Sequence, residues 1–159
     1  MGSYREIKGN LIRLAIKGEF DVIVHGCNCF CRMGAGIAPQ MAIAFGADKF
    51  PMEAPEHRGD MNKLGTIDYK RVGEVIVVNA YSQFGFGKNH TNGTSIPLDY
   101  EALTLCLRKI NYNFKGDHIG LPMIGCGLAG GDEKIVIKII KWELKDCNVT
   151  LVRYDNIIQ

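Results

Sequence analysis

Two glycine-rich segments set the strongest limit on how this chain can fold. Met33-Gly34-Ala35-Gly36-Ile37-Ala38 and Gly125-Cys126-Gly127-Leu128-Ala129-Gly130 each follow a run of apolar, β-branched residues, and each leads into an amphipathic stretch. Strand, glycine turn and helix in that order predict parallel strands joined by helical crossovers, because parallel neighbours cannot be linked by a tight hairpin. Glycine supplies 19 of 159 residues, about 12% against a usual ~7%, so the loops are where the chain spends its excess.

The hydrophobic pattern predicts the remaining elements. Residues 4–8 read as a short extended segment that turns at Gly9-Asn10, and 11–16 as its brief continuation, broken by Lys17-Gly18. Asp21-Val22-Ile23-Val24-His25 suits a central strand covered on both faces. A loop over 26–34 leads to a helix over 35–46, with Ile37, Met41 and Phe45 four apart and Pro39 near its start. Residues 47–63, limited by Pro51 and Pro55, predict a short helix or irregular turns. Strands over 65–69 and 74–80, turned by Arg71-Val72-Gly73, precede a long loop over 82–96. Asp99 can cap a helix over 99–111 whose Leu103, Leu107 and Ile110 share a stripe. A strand over 118–124 enters the second glycine loop. The helix over 132–144 is expected to turn Ile135, Ile139 and Trp142 inward and Lys134, Lys138, Lys141 and Lys145 outward, before a last strand over 148–154.

Strands and helices thus alternate, which predicts an α/β sandwich around a mostly parallel sheet. One domain covering 1–159 is expected, long enough to hide roughly 70% of its unfolded surface without a metal or disulfide staple. The formal charge of +2 is too small for nucleic-acid affinity built on phosphate neutralisation. No apolar run approaches the ~20 residues that span a bilayer. Residues 1–10 carry charge and no apolar core, so a cytoplasmic protein with reduced thiols is expected. His25 and the alternating Cys27, Cys29 and Cys31 raise a metal site, but same-face side chains on one strand stand ~7 Å apart and do not converge. No metal or cofactor is therefore expected. The expected partner is a small molecule rather than a specific nucleic acid or a membrane, bound by a monomer.

In α/β folds ligands sit beyond the carboxyl ends of the strands, where both glycine segments fall. Glycine lets backbone N–H groups approach an anion, and a helix start adds unpaired donors. Two such loops at one sheet edge could hold a diphosphate; alternatively the glycines only permit tight turns. Gly125-x-Gly127-x-x-Gly130 also matches the dinucleotide fingerprint, with Asp155 ending the next strand. Only one strand follows it, so the second half that nicotinamide chemistry requires is missing. No GxxxxGK[ST] phosphate loop occurs.

Lys8-Gly9-Asn10-Leu11, Val22-Ile23-Val24-His25-Gly26-Cys27-Asn28-Cys29, Met33-Gly34-Ala35-Gly36-Ile37-Ala38 and Leu121-Pro122-Met123-Ile124-Gly125-Cys126-Gly127-Leu128 occur in that order. Taken jointly they resemble macro domains, in particular the ADP-ribose-1″-phosphate phosphatase branch, and are similar to small macro-domain proteins of T-even bacteriophages. The resemblance implies a three-layer α/β/α sandwich with a mixed, mostly parallel sheet and an ADP-ribose pocket, acting in the host cytoplasm if the protein is viral. It implies that Gly9, Asn10 and Leu11 bracket the adenine, with the Asn10 carbonyl accepting from its amino group. Gly26, Cys27 and Asn28 would line the distal ribose. Met33, Gly34, Ala35, Gly36, Ile37 and Ala38 would wrap the phosphates together with Ile124, Gly125, Cys126, Gly127, Leu128, Ala129 and Gly130.

Asn28, His25 and Asp132 are the candidate catalytic residues. Asn28 could orient a ribose hydroxyl or a water, or simply make an Asx turn. His25 is a base candidate or a core histidine; Asp132 is a helix cap or a water-activating base. His90, on the 82–96 loop, could close over substrate. The Cys-x₅-Arg loop of phosphocysteine enzymes is absent, and Cys126-x₅-Asp132 ends in the wrong residue. A sister branch of glutamate-linked ADP-ribose hydrolases uses a lysine where this chain has Ser82 or Gln83, with Lys88 nearby, and an aspartate where it has Ala129. The expected reaction is water attack on ADP-ribose 1″-phosphate, releasing phosphate. The alternatives are a reader that binds without turnover and a hydrolase of ADP-ribosylated protein or nucleic acid.

Overall fold

The computed structural model describes residues 2–86 and 96–155. Among them six strands form one sheet in the order β1-β6-β5-β2-β4-β3: β1 (Ser3–Gly9), β2 (Val22–Asn28), β3 (Ile67–Val72), β4 (Val75–Gln83), β5 (His118–Leu121) and β6 (Asn148–Tyr154). All neighbours run parallel except β3, which returns antiparallel along β4. Helices α1 (Leu11–Ile16) and α2 (Ala38–Phe45) cover one face, and α3 (Tyr100–Asn113) and α4 (Glu133–Glu143) the other. The fold is the three-layer mixed α/β/α sandwich that the sequence pattern and its resemblance led us to expect.

The central strand explains the layering. Val22 and Val24 of β2 point into a core with Leu103, Leu107 and Ile110 of α3 and Val136 and Ile140 of α4. Ile23 points the other way, toward Leu11, Ile12 and Ala15 of α1 and Met41 and Phe45 of α2. Alternation along a strand buried on both faces requires this division.

Three local expectations are corrected. Residues 11–16 are a helix, not extended: the Asn10 carboxamide accepts a hydrogen bond from the Arg13 N–H (3.1 Å), a local N-cap that the short apolar run concealed. The first glycine segment stays a loop as far as Ile37, and α2 starts only at Ala38, with Pro39 in its first turn. On α4 the inward residues are Val136, Ile140 and Leu144, whereas Ile135 and Trp142 are 42% and 70% exposed. The helix carries two apolar stripes one residue apart, and periodicity cannot choose between them; β-branched Val136 and Ile140 fill the sheet side.

Strands β2 and β4 also run further than their apolar stretches. They pair through Cys27–Tyr81 and then, after a bulge, Asn28–Gln83. The bulge increases the local twist and spreads the strand ends at that edge of the sheet. Residues 47–63 wind through four 3₁₀ turns. They are held down by a buried ion pair of Lys63 Nζ with Glu53 (3.6 Å), while Tyr81 donates to Glu53 Oε2 at 2.8 Å. Lys63 also donates to the Met52 carbonyl (2.7 Å) and lies 4.5 Å from the Tyr81 ring centroid.

Candidate functional site

Five parallel strands ending on one edge bring β1, β6, β5, β2 and β4 to a common rim, and a cleft of about 920 Å³ opens there. Its two long walls are the glycine loops. Gly34, Ala35, Gly36, Ile37 and Ala38 line one side, and Ile124, Gly125, Gly127, Leu128 and Ala129 the other. Among the described residues, the backbone N–H groups of Gly34, Ala35, Gly36, Gly127 and Leu128 donate to no protein acceptor. Unpaired backbone donors in two loops that line one cleft can serve as an anion cradle.

The loop conformations depend on glycine at specific points. Gly125 has φ +73° and packs so closely that a Cβ would lie 2.6 Å from Leu98 Cδ1. Gly36, at φ +63°, makes the reversal that sends the chain into α2. The second loop is then closed by its own backbone, with Gly131 N–H donating to the Gly125 carbonyl (2.7 Å) and Leu98 N–H to Ala129 (3.1 Å).

Asn10 and Leu11 stand at the β1 end of the cleft, beside Val152, Arg153 and Tyr154. The cap leaves the Asn10 carbonyl oxygen already occupied by Arg13 N–H, so only its second acceptor position is available to a ligand. Gly26, Cys27, Asn28 and Met33 lie toward the middle and the β4 end, where Arg32, Gln83 and Phe86 complete the wall. Arg32 and Arg153 are the only charged side chains among the described lining residues. Arg153 is paired with Glu6 (2.9 Å) and Glu133 (3.1 Å), and those bonds raise its pKa. Arg32 pairs with no carboxylate among the described residues; its guanidinium carbon lies 6.0 Å from the Phe86 ring centroid.

Asn28 faces the cleft, but its side chain is committed to the loop. Its Nδ2 donates to the Arg32 carbonyl (2.9 Å), and its Oδ1 accepts from Phe30 N–H (3.0 Å) and Arg32 N–H (3.4 Å). This is the Asx-turn role, and it clamps both sides of residue 32.

The other two catalytic candidates lie outside the cleft wall. His25 is fully buried, with Nε2 2.6 Å from Asn79 Oδ1, which orients Nε2–H toward the carbonyl because Asn79 Nδ2 donates to Ala47 (3.0 Å). Its Nδ1 has no partner among the described residues. Burial drives its pKa down to about 4, against the opposing Asn79 bond. Asp132 caps α4, accepting from Lys134 N–H at 2.9 Å, while its own N–H donates to Tyr100 Oη (2.9 Å). Gly9, Cys126 and Gly130 support the walls without lining them: the Gly9 carbonyl accepts from Asp155 N–H (2.9 Å), and burial pushes the Cys126 thiol up to about 11. His90 and Lys88 lie outside the described residues.

Of the positions compared with the sister branch, Gln83 and Ala129 line the cleft, whereas Ser82 is buried and its hydroxyl has no partner among the described residues. Sequence reasoning missed Arg32, Gln40, Phe86, Pro122, Met123 and the β6 trio as wall residues. The trio was findable, since a last strand pairing with the first must end beside Asn10. Arg32 carried a weaker signal, its place directly before the first glycine segment. Beneath this floor Cys27, Cys29, Tyr81 and Phe84 pack together, and burial raises both thiols, that of Cys29 to about 12.

No family model matches the chain. A 17.5 kDa protein from the tk–vs intergenic region of Enterobacteria phage T4 is 30% identical to it over 164 residues, spanning 96% of this chain and 97% of its own. The macrodomain of Mycobacterium tuberculosis DarG superimposes with a TM-score of 0.72 at 18% identity, over 96% of this chain and 98% of its own. Thermosipho africanus DarTG, solved in complex with ADP-ribose, gives 0.69 at 14% identity, over 100% of this chain and 43% of its own.

Proposed function

This chain belongs to one family with the 17.5 kDa phage T4 protein and is built as a macrodomain, and from that premise we propose that its cleft binds ADP-ribose. We further propose that it removes the terminal phosphate of ADP-ribose 1″-phosphate. One observation carries the reading: two glycine loops, with backbone donors that have no acceptor among the described residues, line a single cleft. A pyrophosphate has two adjacent charged groups and suits a paired cradle better than a single anion does. DarTG, part of which shares this fold, was solved in complex with ADP-ribose, which supports the choice of nucleotide.

In this reading the adenine sits beside Asn10, Leu11 and Tyr154, the pyrophosphate between the loops, and the distal ribose beside Gly26, Cys27, Asn28 and Gln83, all of which line the cleft. Water would attack the terminal phosphorus, the bond from phosphorus to the ribose 1″ oxygen would break, and loop donors would stabilise the equatorial charge. No carboxylate or imidazole lines the described part of the cleft. In this route a proton of the attacking water passes to a phosphoryl oxygen of the substrate and from there to the departing ribose 1″ oxygen, leaving ADP-ribose with its hydroxyl and hydrogenphosphate.

The second reading is a reader that binds ADP-ribose without turnover, and it draws on the lack of a carboxylate or imidazole among the described wall residues. Phosphate release from ADP-ribose 1″-phosphate, beside calorimetry with ADP-ribose, separates the two. Release at a rate proportional to enzyme supports the phosphatase; binding without release leaves the reader; removal of ADP-ribose from modified protein or nucleic acid in its place identifies a de-ADP-ribosylating enzyme. Absence of binding to either ligand overturns the nucleotide assignment.

A further inference from the structure

We propose that Arg32 reads the terminal phosphate, making this cleft selective for phosphorylated over unphosphorylated ADP-ribose. The inference rests on the ADP-ribose reading of the same cleft and adds what that reading lacks, a residue that discriminates at the 1″ position.

Charge accounting singles Arg32 out. The cleft presents two arginines, and Arg153 at the β1 end is balanced by Glu6 and Glu133. Arg32, toward the β4 end, has no acidic partner among the described residues. Backbone donors suffice for a pyrophosphate held between loops, but they do not distinguish a ribose hydroxyl from a phosphate monoester. The monoester adds about 1.5 to 2 negative charges at neutral pH and three acceptor oxygens. An unbalanced guanidinium matches that difference with two parallel donors.

Position and restraint agree with this role. Arg32 immediately precedes the first glycine loop and is held from both sides. The Asn28 carboxamide grips its backbone N–H and carbonyl, and its guanidinium sits near Phe86, which packs edge-on against Phe30 (6.2 Å between centroids). A surface arginine ordinarily gives up much side-chain entropy on binding; one already placed by a clamp and a ring gives up less. Asn28 therefore acts through Arg32 as a positioning residue.

The test is competition of ADP-ribose and ADP-ribose 1″-phosphate against a fluorescent ADP-ribose derivative, read before turnover accumulates. Wild type should prefer the phosphorylated ligand, and Arg32→Ala should cut that preference by roughly 10- to 100-fold, the effect of losing a charge-assisted bidentate contact. Arg32→Lys should restore only part of it, having charge but no fork. A wild-type protein that binds both ligands equally overturns the proposal. So does an Arg32→Ala protein that keeps the preference, or one that loses both ligands alike. If wild type displaces the probe with neither ligand, the ADP-ribose reading itself falls, an outcome distinct from the others.

Discussion

At neutral pH the imidazole of His25 is uncharged, because burial lowers its pKa from the ordinary histidine value of 6.5 to about 4. The folded state therefore binds fewer protons than the unfolded state between these values, so stability is full above pH 6.5 and drains away as pH falls toward 4. The shift sets a ceiling of roughly 3 kcal/mol on the loss. Thermal melts of wild type from pH 7 to pH 4 should show it, and His25→Gln should flatten the profile over that window. A residue of this kind was only half legible beforehand. His25 at the end of an apolar strand reads equally as base or as core, and the deciding fact, the carboxamide of Asn79 waiting across the sheet, lies 54 residues away.

At the scale of elements, the turns over 47–63 are anchored by Ala47 and Phe50 in the core and, further along, by the buried Lys63–Glu53–Tyr81 group. Lys63→Ala would leave Glu53 buried without its cation and should cost about 3–5 kcal/mol, read as a drop in the urea midpoint. The double variant Lys63→Met, Glu53→Gln keeps an acceptor for the Tyr81 hydroxyl and should recover most of the loss. The same scale shows what sequence pattern could reveal. Strand β6 and helix α3 were readable almost to the residue, since each has one unambiguous apolar face. Helix α4 was readable as a helix but not in orientation, because both stripes satisfy the period and only the sheet decides between them. Helix α1 escaped because six residues are too few for periodicity, and its one marker, Asn10, doubles as a turn residue. The second glycine segment was legible as a loop, the first only as far as Gly34; that both lie at one sheet edge was readable from the strand–helix alternation, but the cleft they line depends on strand order, which no local pattern contains.

For the whole molecule, a ligand touching the ends of five strands engages segments that share a neighbourhood only when the sheet is formed. It should bind the folded state alone. ADP-ribose at ~100 times its Kd would then add about 2.7 kcal/mol to stability. For a domain of this size that corresponds to a Tm rise of roughly 5–10 °C, measurable by calorimetric scanning, and no shift at saturation would contradict the assignment of the cleft. The pairing of β1 with β6 has a practical corollary. Gly9 and Tyr154 are register partners at the rim, whereas Ser3 lies at the far end of the same strand, ~20 Å away. A purification handle carried ahead of β1 therefore follows the end of that strand farthest from the opening, while one carried after β6 follows a strand that ends at its lip, where it would compete with incoming ligand for room.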